Sequence, residues 1–143
     1  MNDQIRTYER IQTDGLNQKQ LIVMLYNGII RFLAEARESL NSDDKQTAQV
    51  KFEKARKIVF HLLSTLNLDA GEIALKLKSL YSFMILEITE ASMRSDAEIV
   101  DRLIPIVENV KKGWEAIELN DESISPDKRK IGGDVPQRVS FTI

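Results

Sequence analysis

His61 is the only histidine in a chain of 143 residues that contains no cysteine, so the side chains that most often do chemistry are nearly missing. Without cysteine there is neither a disulfide framework nor a thiolate metal site. One histidine cannot build a metal centre, and a di-iron bundle would need Glu-x-x-His pairs on two helices, which this chain lacks. Nucleophilic triads have no support for the same reason. Gly132-Gly133 has no strand-to-helix context and so does not read as a phosphate loop. The carboxylates fall on polar helix faces, where they are solvated. No cofactor, metal or catalytic residue is expected. What is left for His61 is phosphoryl relay from an exposed position in the middle of a helix. His61-x-Leu63 fits part of the histidine phosphotransfer pattern, and the residue lies opposite its helix's apolar seam, where exposure is expected. That pattern continues with a lysine to balance phosphate charge and a glycine to admit a partner. Here Ser64 and Thr65 stand in those places. A plain surface histidine is the stronger reading, and phosphorelay through His61 is the alternative.

The elements around His61 are helical. A first segment from about Gln18 to Leu40 has Asn17 as N-cap, Gln20 three residues later and Leu16 stapling onto Leu21. Asn41-Ser42-Asp43-Asp44 breaks the chain and starts a second helix that runs to about Leu66. Its seam is Ala48, Phe52, Ala55, Val59, Leu62 and Leu66. The third follows Asn67–Gly71, with seam Ile73, Leu77, Leu80, Met84, Ile88 and Ala91. Ser95 with Glu98 forms a capping-box pattern before the fourth, whose seam is Ile99, Leu103, Ile106, Val110, Trp114 and Ile117. Pro105 removes a hydrogen bond to the carbonyl of Asp101 and predicts a bend. Four helices of similar length with short connections predict an all-α protein, an antiparallel four-helix bundle in residues 1–119. A short N-terminal segment or helix precedes it, with Ile5 and Tyr8 on one face. A non-helical tail, residues 120–143, carries two prolines, the Gly-Gly pair and the alternation Val139, Phe141, Ile143.

Composition narrows the class of function. At 43% hydrophobic and 29% charged, the chain has enough apolar residues for a sizeable core. A net charge of -2 gives no electrostatic reason to expect nucleic acid. The start, MNDQIRTYER, lacks a signal-peptide pattern, and no apolar run is long enough to span a bilayer, so a cytoplasmic location without membrane insertion is expected.

One feature exceeds what a bundle needs. LIVMLYNGIIRFL, residues 21–33, places Phe32, Leu25, Ala36, Ile29, Ile22 and Leu33 on a core face. Leu21 on one flank and Val23, Ile30 and Ala34 on the other widen the apolar arc to roughly 220°, about twice an ordinary amphipathic stripe. Met24 lies beside the polar remainder. On the third helix, Leu75, Leu86 and Met93 align away from the seam, with Phe83 between them and the core. Val50 and Phe60 are off-seam on the second. Part of this surplus is absorbed where a helix touches two neighbours. The rest predicts grooves that accept an amphipathic helix or an extended peptide, or a second copy of the empty protein. The methionines would let such grooves adapt.

Tyr8, the run Leu21–Leu33, Gly71-Glu72-Ile73-Ala74, Leu80-Tyr81 and Trp114-Glu115-Ala116-Ile117 resemble the flagellin export chaperone family, FliS, in order and spacing from about residue 8 to 118. The resemblance implies a non-enzymatic helical bundle that binds the disordered C-terminal region of flagellin in the cytoplasm. In doing so it prevents premature polymerisation and supports delivery to the flagellar export apparatus. It also implies that a client wraps around the bundle in apolar grooves, one of which the N-terminal segment can approach. The client-binding residues expected from periodicity and resemblance together are Tyr8, Leu21, Val23, Met24, Tyr26, Ile30, Leu75, Leu86 and Met93. The chain departs from the family pattern at Asn27, where an acidic residue is usual, and at Ile85-Leu86, where basic residues are common. Pro105 and the long tail are further departures. One reading of the tail is that Ile131, Val135, Val139, Phe141 and Ile143 occupy an empty groove as a placeholder.

Overall fold

A computed structural model describes residues 18–131, with side chains as far as Ala116. Over this range the chain forms α1 (Gln18–Asn41), α2 (Lys45–Ser64), a short 3-10 turn (Leu68–Ala70), α3 (Glu72–Arg94) and α4 (Ala97–Ile131). Each boundary has a local cause. Asp43 takes a left-handed conformation, which short polar side chains tolerate, and the next amide, that of Asp44, donates back to the Ser39 carbonyl at 2.8 Å. The Asp44 carboxylate then accepts the Thr47 amide at 3.1 Å and opens α2. Asn67 caps the 3-10 turn through the Asp69 amide at 3.0 Å. Gly71 follows with φ +108, a conformation that suits glycine.

The start of α4 differs from the expected capping box. Ser95 is the left-handed C-cap of α3, so it cannot adopt the extended backbone of an N-cap. Asp96 does that work instead, its carboxylate accepting the Glu98 amide at 2.9 Å.

The four helices pack in a ring in which α1 touches α2 and α4, α3 touches α2 and α4, and the α3–α4 interface is the thinnest. Polar pairs fix the directions. Lys111 donates to Asn27, and Arg37 pairs with Asp101, so numbers rise along α1 as they fall along α4. This is the antiparallel bundle that periodicity predicts. The expected core faces of α1 and α2 are buried, from Ile22 to Ala36 and from Ala48 to Leu62.

The later seams are rotated from their expected places. On α3, Ile73 is exposed and Leu77 and Leu80 are half-buried, while Ala74 and Tyr81 are buried. On α4, Val100 and Val107 join the core and Ile106 is only half-buried. Both shifts have one cause. With α3 and α4 barely touching, each turns its apolar stripe toward its better-packed neighbour. Pro105 sits on the exposed face of α4, which continues through it. There the carbonyl left without its helical donor can meet water.

The helix also runs beyond the expected exit at Leu119, as far as Ile131. Residues 120–131 contain no glycine, the helix continues through Pro126, and Gly132-Gly133 follows directly after Ile131. The N-terminal segment, with Tyr8, and residues 132–143 of the tail lie outside the described residues.

Candidate functional site

Three of the residues on which the family resemblance rests meet inside the bundle. Tyr26 from α1 and Tyr81 from α3, on diagonal helices, hold their hydroxyl oxygens 2.8 Å apart, with ring centroids 6.3 Å apart edge to face. The Trp114 indole N–H from α4 donates to the Tyr26 oxygen at 3.3 Å. All three side chains are buried. Burial pushes the Tyr26 phenol up to about 12, partly opposed by its hydrogen bonds with Tyr81 and Trp114. Burial raises Tyr81 as well, and the neighbouring Tyr26 hydroxyl raises it further. Both phenols therefore stay protonated across the physiological range. Their polar atoms satisfy one another where α1, α3 and α4 meet. This is a structural cluster, with no group poised for catalysis.

His61 is half-buried rather than exposed, and its Nε2 is shielded from solvent. The hydroxyls of Ser64 and Thr65 both donate to the His61 carbonyl, closing the end of α2. The shielding of Nε2 does not favour phosphoryl relay through that nitrogen. Among the described residues, no group of histidines and carboxylates is arranged to hold a metal ion, and no helix is long and apolar enough to cross a membrane.

The apolar surplus is resolved differently on different helices. Leu21 and Tyr26 are fully buried, so neither presents a surface to a client. Between α2 and α4, the first helix has neighbours on both flanks, and its wide arc is used as core. Val23, Met24 and Ile30 are half-buried and pack against that core. Leu75, Leu86 and Met93 are exposed, Leu86 at 69% and Met93 at 77%. At 100° per residue these three fall within about 20° of one another and span about 27 Å of helix.

At the Met93 end the stripe opens into a shallow groove between α2 and α3, lined by Phe52, Glu53, Arg56, Ile88, Thr89, Ser92 and Met93. Its volume of about 210 Å³ is below the roughly 300–1,000 Å³ of a small-molecule site, so it suits one or two anchoring side chains. Arg56 is held by Glu53 at 2.8 Å and lies 5.7 Å from the exposed ring of Phe60. The α1–α2 flank has another character. Arg31, Lys51 and Lys54 gather around the Phe32 ring at 4.4 to 5.9 Å, and Lys51 pairs with Glu35 at 3.0 Å.

Ile73 and Phe83 on α3 are also exposed, at 43% and 41%.

The sequence matches the family model "Flagellar protein FliS" over residues 1–121. It is 27% identical over 122 residues to the flagellar secretion chaperone FliS of Vibrio cholerae, covering 82% of this chain and 90% of the relative. The flagellar secretion chaperone FliSB of Pseudomonas aeruginosa is 30% identical over 107 residues, 74% of this chain and 85% of the relative. That of Salmonella typhimurium, FliS, is 29% identical over 120 residues, covering 79% and 88%. The matched span takes in α1 to α3, most of α4 and the Tyr26–Tyr81–Trp114 cluster that joins three of the helices, and the chain belongs to the FliS family of flagellar proteins.

Proposed function

We propose that this protein is a cytoplasmic flagellar export chaperone that binds the disordered C-terminal segment of flagellin and keeps it from polymerising before delivery to the export apparatus. The relatives are named flagellar secretion chaperones, which supports an export role and a binding protein in place of an enzyme. The observation that carries the client reading is the exposed line Leu75–Leu86–Met93, ending in the α2–α3 groove. Its spacing matches anchors on an amphipathic or extended client. Full burial of each such side chain contributes about 1.5–3 kcal/mol. Three of them suffice to offset the roughly 2–5 kcal/mol that ordering a disordered segment costs. Arg56 at the groove mouth, already neutralised by Glu53, leaves the site without a strong charge requirement.

Titration with a flagellin C-terminal segment tests the reading, followed by calorimetry or fluorescence anisotropy. Saturable binding that Leu86→Glu and Met93→Glu weaken at least tenfold, with unchanged unfolding curves, is the expected result. If the segment binds neither the full chain nor the chain shortened after Ile131, the chaperone reading fails.

A further inference from the structure

We propose that the outer face of α3 pairs antiparallel with the same face of a second copy of this chain, about a two-fold axis between Phe83 and Met84, and that client binding releases the pair. The pairing stands on the pattern of α3 alone; release rests on the client reading above.

On its inner side α3 buries Ala74, Tyr81, Met84, Ile88 and Ala91. At 100° per residue, the opposite side carries Leu75, Ser79, Ser82, Leu86 and Met93 within about 60°. Spacing by fours, threes and sevens is the rhythm of a seam that meets another helix. Leu75, Leu86 and Met93 are exposed, and no charged residue stands within the stripe. Ser79 and Ser82 are small and let a second helix come close.

The occupant follows from symmetry. In an antiparallel pair, a residue that faces a second position on the partner is itself faced by that position's residue from the partner. With the axis between residues 83 and 84, Leu75 stands level with Met93 of the second copy, and Ser82 with Leu86. At the helical rise, each of these pairs lies within about 1.5 Å of one level.

The charges beside the stripe obey the same axis. Glu72, Lys76, Glu90 and Arg94 share one flank with Phe83 between them. All four side chains are exposed, and within one chain Glu72 pairs with Lys76 at 3.6 Å and Glu90 with Arg94 at 3.1 Å. The two-fold brings Glu72 level with Arg94 of the second copy, and Lys76 level with Glu90, again within about 1.5 Å. Each carboxylate thereby gains a second cation, and the exposed Phe83 meets its own copy beside the axis. A parallel pair would instead set every one of these charges against itself. The pattern therefore selects the antiparallel arrangement and fixes its register.

Size sets the strength. From Glu72 to Arg94 the strip is about 33 Å long and about 10 Å wide. That falls well short of the roughly 800 Å² per partner of a stable interface, so the pair forms and parts with protein concentration. Such a pair covers the Leu75–Leu86–Met93 line while no client is present and yields it to a segment that buries more.

Charge exchange in the full chain tests the pairing. One variant carries Glu72→Lys with Lys76→Glu, and the other carries Glu90→Lys with Arg94→Glu. Each keeps an opposite-charge pair within its own helix, so thermal unfolding should match the parent. Sedimentation velocity over about a hundredfold range of concentration reads the dimer. The parent should dimerise with rising concentration, and each variant alone should do so at least tenfold more weakly. An equimolar mixture of the two should regain the parent's strength, because every facing pair is opposite again when the variants meet. A parent that stays monomeric throughout, as when another segment of the same chain covers α3, overturns the pairing. A mixture no stronger than either variant alone overturns it too. Adding the flagellin segment to the parent dimer then tests release. One chain per bound segment supports it; a dimer that persists with segment bound overturns it. If the segment does not bind, the proposed function fails while the charge-exchange result stands.

Discussion

The first and third helices begin with the same excess of apolar residues and end in opposite states. On α1, Leu21, Ile22, Leu25, Tyr26, Ile29 and Leu33 are all sealed, because the helix has a thick interface on each flank. On α3, Leu75, Phe83, Leu86 and Met93 stay in water, because one flank meets α4 only thinly and the outer face meets nothing among the described residues. Hydrophobicity alone therefore does not mark a binding surface. What marks it is apolar area that the bundle's own neighbours leave uncovered.

The comparison breaks first at the sealed side. Tyr26→Ala empties the meeting point of three helices, and urea unfolding should report a loss of about 3–5 kcal/mol, the range for a large buried aromatic. Tyr26→Phe keeps the ring but removes the hydroxyl that bonds to Tyr81 and accepts from the Trp114 indole. A loss of about 1–3 kcal/mol is expected, measured the same way. If Tyr26→Phe matches the parent, the cluster is held by packing alone.

A pH series sharpens the same point. Both phenols titrate higher in the folded protein than in the unfolded chain, where tyrosine ionises near about 10. Above that value the unfolded state binds fewer protons than the folded one, so stability falls as pH rises. The contribution is fully present below about pH 10 and is lost as pH climbs through the folded values. Denaturant midpoints between pH 8 and 11.5 should be flat and then drop, and Tyr81→Phe should soften the drop.

On the open side the expectation reverses. Leu86→Gln and Met93→Gln should change folding stability by no more than about 0.5 kcal/mol, as for surface positions. Their effect should appear in flagellin-segment affinity. A large loss of stability from either would mean that α3's outer face is core for something outside the described residues. The smallest effect is expected at the α1–α2 turn. Asp44 is held below the usual carboxylate range by the Thr47 amide it caps. Its stabilisation is present above the ordinary carboxylate value and fades as pH falls through the folded one. Asp44→Ala should therefore cost a little stability at neutral pH and nothing in strong acid, read by thermal unfolding.

Much of this was legible in the chain. Spacing by threes and fours placed the core faces of α1 and α2, because a helix with two close neighbours buries a stripe that its period alone defines. The exposure of Leu75, Leu86 and Met93 was legible for the converse reason, since they lie opposite their seam. The seams of α3 and α4 were misplaced because the rotation of a helix depends on how hard each neighbour presses on it. Ser95 was misread because a capping box and a left-handed C-cap compete for the same residue, and the closing turn of α3 won.

By itself the sequence determined four helices, their order and the family. All of these follow from local periodicity, turn chemistry and residue types that act within a few positions. Only the tertiary structure decided which apolar residues were surplus. Burial is a property of neighbours, and the thin α3–α4 contact that leaves α3 partly uncovered is set by how the helices pack. Tyr26, Tyr81 and Trp114 show the same division, each recognisable in its own motif but joined into one cluster only when three helices bring them together.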